Sequence, residues 1–195
     1  MGVEWLFEPR TEMYKPDLFG HLFSLETTRA LRYREVFSVF VIELDCLGDP
    51  LKPTEASTEP ARNERFAELT RLVSHNLRSE LRKTDCIGRL GQEIAIIAFH
   101  AGEEEIPAIA DRIQRRIENF AFPSHRSESL SKVTISIGVA CFPRNGNNDS
   151  SLLLNARLGL EEAKRGGGNR YAIARSSVRT SRIDGSSPER KEGDQ

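Results

Sequence analysis

The stretch from Val36 to Leu44, Val-Phe-Ser-Val-Phe-Val-Ile-Glu-Leu, leaves this chain little choice of architecture. Its residues are mostly β-branched or aromatic and include a single charge, so it is predicted to form a strand covered on both faces, inside a sheet with helices above and below. A second strand is expected at Thr134 to Cys141. There Val133, Ile135, Ile137, Val139 and Cys141 alternate with Thr134, Ser136, Gly138 and Ala140.

Helical spacing fills most of the remainder. Leu22, Leu25, Glu26, Ala30 and Tyr33 mark a first helix that ends in the basic cluster Arg29, Arg32 and Arg34. From Ala61 to Leu81, Phe66, Leu69, Leu72, Val73, Leu77 and Leu81 keep one face of a long amphipathic helix. Cys86 and Ile87, a turn at Leu90 and Gly91, and the run Ile94 to Phe99 predict a hairpin. A helix beginning near Glu103 carries the stripe Ile106, Ile109, Ile113 and Ile117. Asp149 or Ser150 is expected to cap a last helix through Leu153, Ala156, Leu160 and Ala163, which stops at Gly166-Gly167-Gly168 before a closing strand at Arg170 to Ala174. Gly48 to Pro60, with Pro50, Pro53 and Pro60, is predicted as a loop.

The order is helix, strand, helix, hairpin, helix, strand, helix, strand, which predicts an α/β (α+β) fold with helices packed on a mixed sheet. The expected organisation is an N-terminal extension at 1–17, one domain at 18–174, and a polar tail at 175–195 too poor in apolar residues to order itself.

Lys plus Arg number 28 against 29 Asp plus Glu, so no broad field draws in nucleic acid or an anionic membrane, and any phosphate site must be local. The three cysteines, Cys46, Cys86 and Cys141, lie far apart beside apolar residues and are expected as reduced thiols in or near the core. His21, His75, His100 and His125 show no ligand spacing for zinc. The start lacks a long apolar segment, no run approaches membrane-spanning length, and Leu6 breaks the myristoylation pattern. The expected location is the cytoplasm.

Four segments carry a resemblance to a known family. They are Phe37-Ser-Val-Phe-Val-Ile-Glu-Leu-Asp45, Asp85-Cys-Ile-Gly-Arg-Leu-Gly-Gln-Glu-Ile-Ala-Ile-Ile97, Thr134-Ile-Ser-Ile-Gly-Val-Ala-Cys-Phe-Pro143 and Ala163-Lys-Arg-Gly-Gly-Gly-Asn169. In that order they resemble the GGDEF, or diguanylate cyclase, domains over roughly residues 18 to 174. The resemblance implies a sheet of about five strands wrapped by helices, akin to nucleotide-cyclase and polymerase palm domains.

In that family two facing subunits join two GTP molecules into cyclic di-GMP, with Mg²⁺ gripped between a first-strand carboxylate and an acid in the hairpin. The matching first-strand residue here is Glu43, one methylene longer than the family's Asp, which displaces the carboxylate by about 1.5 Å from where an octahedral ion needs it. Where the family has Arg, any residue, Gly-Gly-Asp/Glu-Glu-Phe, this chain has Arg89-Leu-Gly-Gln-Glu-Ile94, one residue short. Aligned from Ile94, Gln92 takes the metal-acid position, Glu93 the second acid, and Leu90 replaces a glycine that admits the nucleotide. Aligned from Arg89, Glu93 takes the first acid position and Ile94 the second. Both alignments stay open, and both break the pair of acids.

The family's Phe-Lys, Asn-Asp and Gly-Asp pairs, which read guanine and phosphate after the first strand, have no counterpart among Leu47-Gly48 and the residues to Pro60. Lys164 matches a phosphate-contacting lysine, while Gly168 stands where an arginine is expected. Catalytic residues are therefore expected only as the vestiges Glu43, Gln92, Glu93 and Lys164, with Glu43 and Glu93 as metal ligands if activity survives. Glu43 and Lys164 read equally well as ordinary strand-end and surface charges.

Arg82-Lys-Thr-Asp85 matches the family's inhibitory Arg-x-x-Asp, in which Arg reads guanine and phosphate of cyclic di-GMP and Asp accepts guanine N–H groups. Arg112 lies where the family supplies a second arginine. The plainer alternative makes Asp85 a turn cap and Arg112 one solvated charge beside Arg115 and Arg116. Three functions follow from these residues: a non-catalytic cyclic di-GMP receptor acting on an unknown protein partner, a surviving cyclase using Glu43, Glu93 and Mg²⁺, or a ligand-free interaction module. The receptor requires no cofactor, and a homodimer is compatible with all three.

Overall fold

The computed structural model describes residues 3–45, 59–123 and 133–174. Four helices, α1 (Pro16–Tyr33), α2 (Glu59–Glu80), α3 (Ile106–Glu118) and α4 (Asp149–Arg165), pack on a sheet of β1 (Phe37–Asp45), β2 (Cys86–Leu90), β3 (Glu93–Phe99), β4 (Thr134–Phe142) and β5 (Tyr171–Ile173). The strand order is β2-β3-β1-β4-β5. All neighbours are antiparallel except β4 and β5, which run parallel, so the sheet is mixed as the element order predicts.

β1 is central because it has a hydrophobic side chain for each face. Phe40 and Ile42 join Leu69, Val73 and Leu77 of α2 and Ile106, Ile109, Ile113 and Ile117 of α3 in one core. Phe37, Val39 and Val41 join Phe19, Phe23 and Ala30 of α1 and Leu152, Ala156 and Leu160 of α4 in the other. Every residue of β4 is buried. The chain thus closes into three layers, helices on both sides of one sheet, with about 1.5–3 kcal/mol of hydrophobic stabilisation for each large side chain fully buried.

Some expectations need correction. The buried face of α1 is Phe19, Phe23, Glu26, Thr27 and Ala30, while Leu25 and Tyr33 are 53% and 61% exposed. Two phenylalanines one turn apart bury more area than Leu25 and Tyr33, and they set the rotation of the helix. Glu26 is tolerated inside because the Arg29 guanidinium donates to both of its oxygens at 2.8 Å. Helix α2 starts at Glu59, so Pro60 belongs to its first turn, where a missing N–H costs nothing. The cap of α4 is Asn148 rather than Asp149 or Ser150: its Oδ1 accepts from Ser151 N at 2.8 Å and its N–H donates back to Ser151 Oγ.

Residues 7–15, assigned by sequence to the extension, lie against the domain. Tyr14 bridges Gly88 at the β2 edge, and Met13 is fully buried. The hairpin pairs Leu90 with Glu93 across a two-residue turn, with Gly91 at φ +68°, where only a residue without Cβ is unstrained. Cys86 and Cys141 are buried free thiols, and burial pushes the Cys86 thiol up to about 11, away from reactivity. Cys46, most of the predicted loop at 48–60 and the tail at 175–195 lie outside the described residues. Among the described residues no helix is long and apolar enough to cross a membrane.

Candidate functional site

Two corners of the fold gather the residues singled out by sequence. The first is the end of β1 on the face covered by α4. The β1–β3 register runs to Ile42↔Ile94, and one further step sets Glu43 opposite Glu93, with both side chains on that face. Two carboxylates so placed repel each other. Helix α4 supplies a cation to each. Lys164 Nζ donates to Glu43 Oε2 at 2.7 Å, and Arg157 donates Nε to both oxygens of Glu93 at 2.9 Å and Nη2 to Oε2 at 2.6 Å. Arg157 and Lys164 are two turns apart on one helix face, which is why one helix serves both acids. The hydrogen bond to Glu43 raises the Lys164 pKa, and that to Glu93 raises the Arg157 pKa. Gln92 is exposed at the hairpin tip.

Asp45, two residues beyond Glu43, is fully engaged. Its oxygens accept from Ser136 Oγ at 2.6 Å, Thr134 Oγ1 at 3.0 Å and Asn169 N at 2.8 Å. It therefore ties β1 to β4 and to the turn after α4, and Gly168 lies against its carboxylate.

The second corner is where α2 ends. Asp85 Oδ2 accepts from Arg82 N at 2.9 Å, and Asp85 N donates to Arg82 O at 3.0 Å, so the acid does cap the turn into β2. Its other oxygen, Oδ1, is buried with no hydrogen-bond partner. The Arg82 side chain is exposed. Arg112 crosses from α3 and donates Nη2 to Glu80 O at 2.6 Å, with its Nε 3.6 Å from the Glu80 carboxylate. That contact brings Arg112 to the segment that carries Arg82. Beside it a cleft of about 500 Å³ is lined by Glu80, Ala108, Asp111, Arg112, Arg115, Arg116 and Asn119; Arg82 and Asp85 are not on its wall.

The family model for "Diguanylate cyclase, GGDEF domain" matches residues 68–170, more than half of the chain. The chain belongs to the GGDEF family. Among curated relatives, this GGDEF chain is 29% identical over 107 residues to the bifunctional diguanylate cyclase/cyclic di-GMP phosphodiesterase MucR of Pseudomonas aeruginosa, covering 54% of itself and 15% of MucR. It thus spans a small part of that relative's length. In fold it is similar to the GGDEF domain with coiled coil of DgcB from Caulobacter crescentus in complex with c-di-GMP, with TM-score 0.74, 17% identity, 88% of this chain covered and 86% of that one. It is also similar to diguanylate cyclase SiaD in complex with its activator SiaC from Pseudomonas aeruginosa, with TM-score 0.73, 19% identity, 87% of this chain and 62% of that one.

The two acids that would face a Mg²⁺ ion are each paired with a cation from α4, Glu43 with the Lys164 ammonium and Glu93 with the Arg157 guanidinium. Among the described residues no group of three or more His, Cys, Asp or Glu side chains is placed to hold a metal ion. Arg157 was not singled out from the sequence. The available signal was its position seven residues before Lys164, but the partner, Glu93, comes from a strand 64 residues away and needs the sheet register to find it.

Proposed function

We propose that this GGDEF domain binds cyclic di-GMP at Arg82, Asp85 and Arg112, does not synthesise it, and passes its ligand state to a protein partner. The observation that carries the ligand is Asp85. Its Oδ2 holds the turn, while Oδ1 is buried without a partner beside the exposed Arg82, so a shift of this turn that uncovers it would present an acceptor to guanine N–H groups. Arg112, drawn to the same end of α2, supplies a second forked donor for phosphate or guanine O6/N7. The neighbouring cleft with Arg115 and Arg116 leaves room for a phosphate-bearing ligand. DgcB with c-di-GMP and SiaD with its activator support a ligand and a protein partner for this chain.

Support for the absence of synthesis lies at the other corner. Glu43 is paired with Lys164, Glu93 with Arg157, and Gln92 brings no charge to the hairpin tip. No cofactor is required for the receptor role. Incubation with GTP and Mg²⁺ tests this directly: cyclic di-GMP formation should equal a no-enzyme control. Glu43→Asp alone should leave the result at background, because groups that act as one catalytic unit are not restored singly. Product clearly above background from the parent sinks the non-catalytic assignment, and product from Glu43→Asp alone shows that the rest of the catalytic site is intact.

A further inference from the structure

We propose that Arg157, together with Lys164, takes the place a divalent cation would hold between Glu43 and Glu93, so that α4 itself closes this corner to metal. The inference does not depend on where cyclic di-GMP binds. It follows from three features. The sheet register sets two carboxylates across from one another on the same face, an arrangement that demands positive charge. The demand is met wholly from within, by cations two turns apart on one helix. The more buried acid, Glu93, with 15% of its side chain exposed, receives the planar fork of an arginine with three hydrogen bonds, leaving neither of its oxygens without a donor.

The consequence for mechanism is specific. Restoring family residues in β1 or the hairpin leaves both resident cations in place, and a divalent ion would have to displace a guanidinium fixed to its acid. A metal site should therefore appear on changing α4, not the strands. Arg157 and Lys164 offset Glu93 and Glu43, with Glu161 Oε1 a further 3.5 Å from Lys164 Nζ, so removal of both cations leaves the pair Glu43 and Glu93 uncompensated. Such a pair attracts Mn²⁺ or Mg²⁺ through hard oxygen ligands.

The probe is Mn²⁺ alone, followed by the electron paramagnetic resonance signal of the free aqua ion. The parent protein should leave the signal as in buffer, while Arg157→Ala/Lys164→Ala should bind one Mn²⁺ at least tenfold more tightly than any parent binding. Adding Glu93→Gln to that double variant should return the signal to the parent level, which ties the gained site to the acid. Circular dichroism checks that each variant is folded. If the double variant unfolds, the milder Arg157→Gln decides: Mn²⁺ should raise its melting temperature and leave that of the parent unchanged. The proposal is overturned if the parent binds Mn²⁺ through Glu93, or if folded variants lacking Arg157 gain no affinity.

Discussion

Gly138→Ala should lower the melting temperature of the domain by about 10 °C or more, because its added Cβ would make the closest contact of any described glycine. A Cβ built at Gly138 falls 1.9 Å from the Ala156 carbonyl oxygen and 2.2 Å from Leu160 N, both backbone atoms of α4. Backbone in the middle of a packed helix cannot turn aside as a side chain can, so α4 must lift from β4 and open the core of Phe37, Leu152 and Leu160. Overpacking of this kind costs about 3 kcal/mol or more against a total stability of about 5–15 kcal/mol. The control is Gly20→Ala in α1, where the added Cβ meets nothing within 4 Å. It should leave stability unchanged or raise it by about 0.5–1 kcal/mol through the better helix propensity of alanine. Thermal unfolding followed by circular dichroism measures both, and a Gly138→Ala melt that coincides with the parent contradicts the close α4–β4 approach.

That approach explains part of what the sequence displays openly. Strand β1 is legible because a strand buried on both faces reads as a nearly unbroken apolar run, β4 because its large apolar residues alternate with small and polar ones, and α3 because four isoleucines repeat along one face. The rotation of α1 is not, since Leu25 and Tyr33 match helical spacing as well as Phe19 and Phe23 do, and only the volume available against β1 decides between them. At the candidate sites the limit is different. Arg82 and Asp85 sit three residues apart, so their shared turn can be foreseen, whereas the Glu43–Lys164 and Glu93–Arg157 pairs join residues 121 and 64 positions apart. Local spacing carries no trace of such contacts; strand register and helix placement create them. Asp45 illustrates the same point, for its three donors come from β4 and from the turn after α4.

Arg82→Ala should weaken cyclic di-GMP binding by roughly ten- to a hundredfold while leaving the melting curve in place. A charge-assisted contact of a guanidinium with phosphate or guanine is worth about 1.5–3 kcal/mol, which corresponds to that range. The fold should not notice the change, because the Arg82 side chain is exposed and the bond that holds the turn, from Arg82 N to Asp85 Oδ2, uses the backbone. Lys83→Ala, one residue along and also exposed, should alter binding little, since Lys83 lies outside the Arg-x-x-Asp pair. A point charge lost at random from this surface would instead affect both variants alike.

The most direct measurement is a calorimetric titration of cyclic di-GMP into the parent protein and into Arg82→Ala under identical salt. The account predicts saturable binding to the parent and its loss, or a fall of at least tenfold, in the variant. No binding by the parent, or equal binding by the two proteins, contradicts it and leaves an interaction module that has kept the GGDEF fold without its ligand.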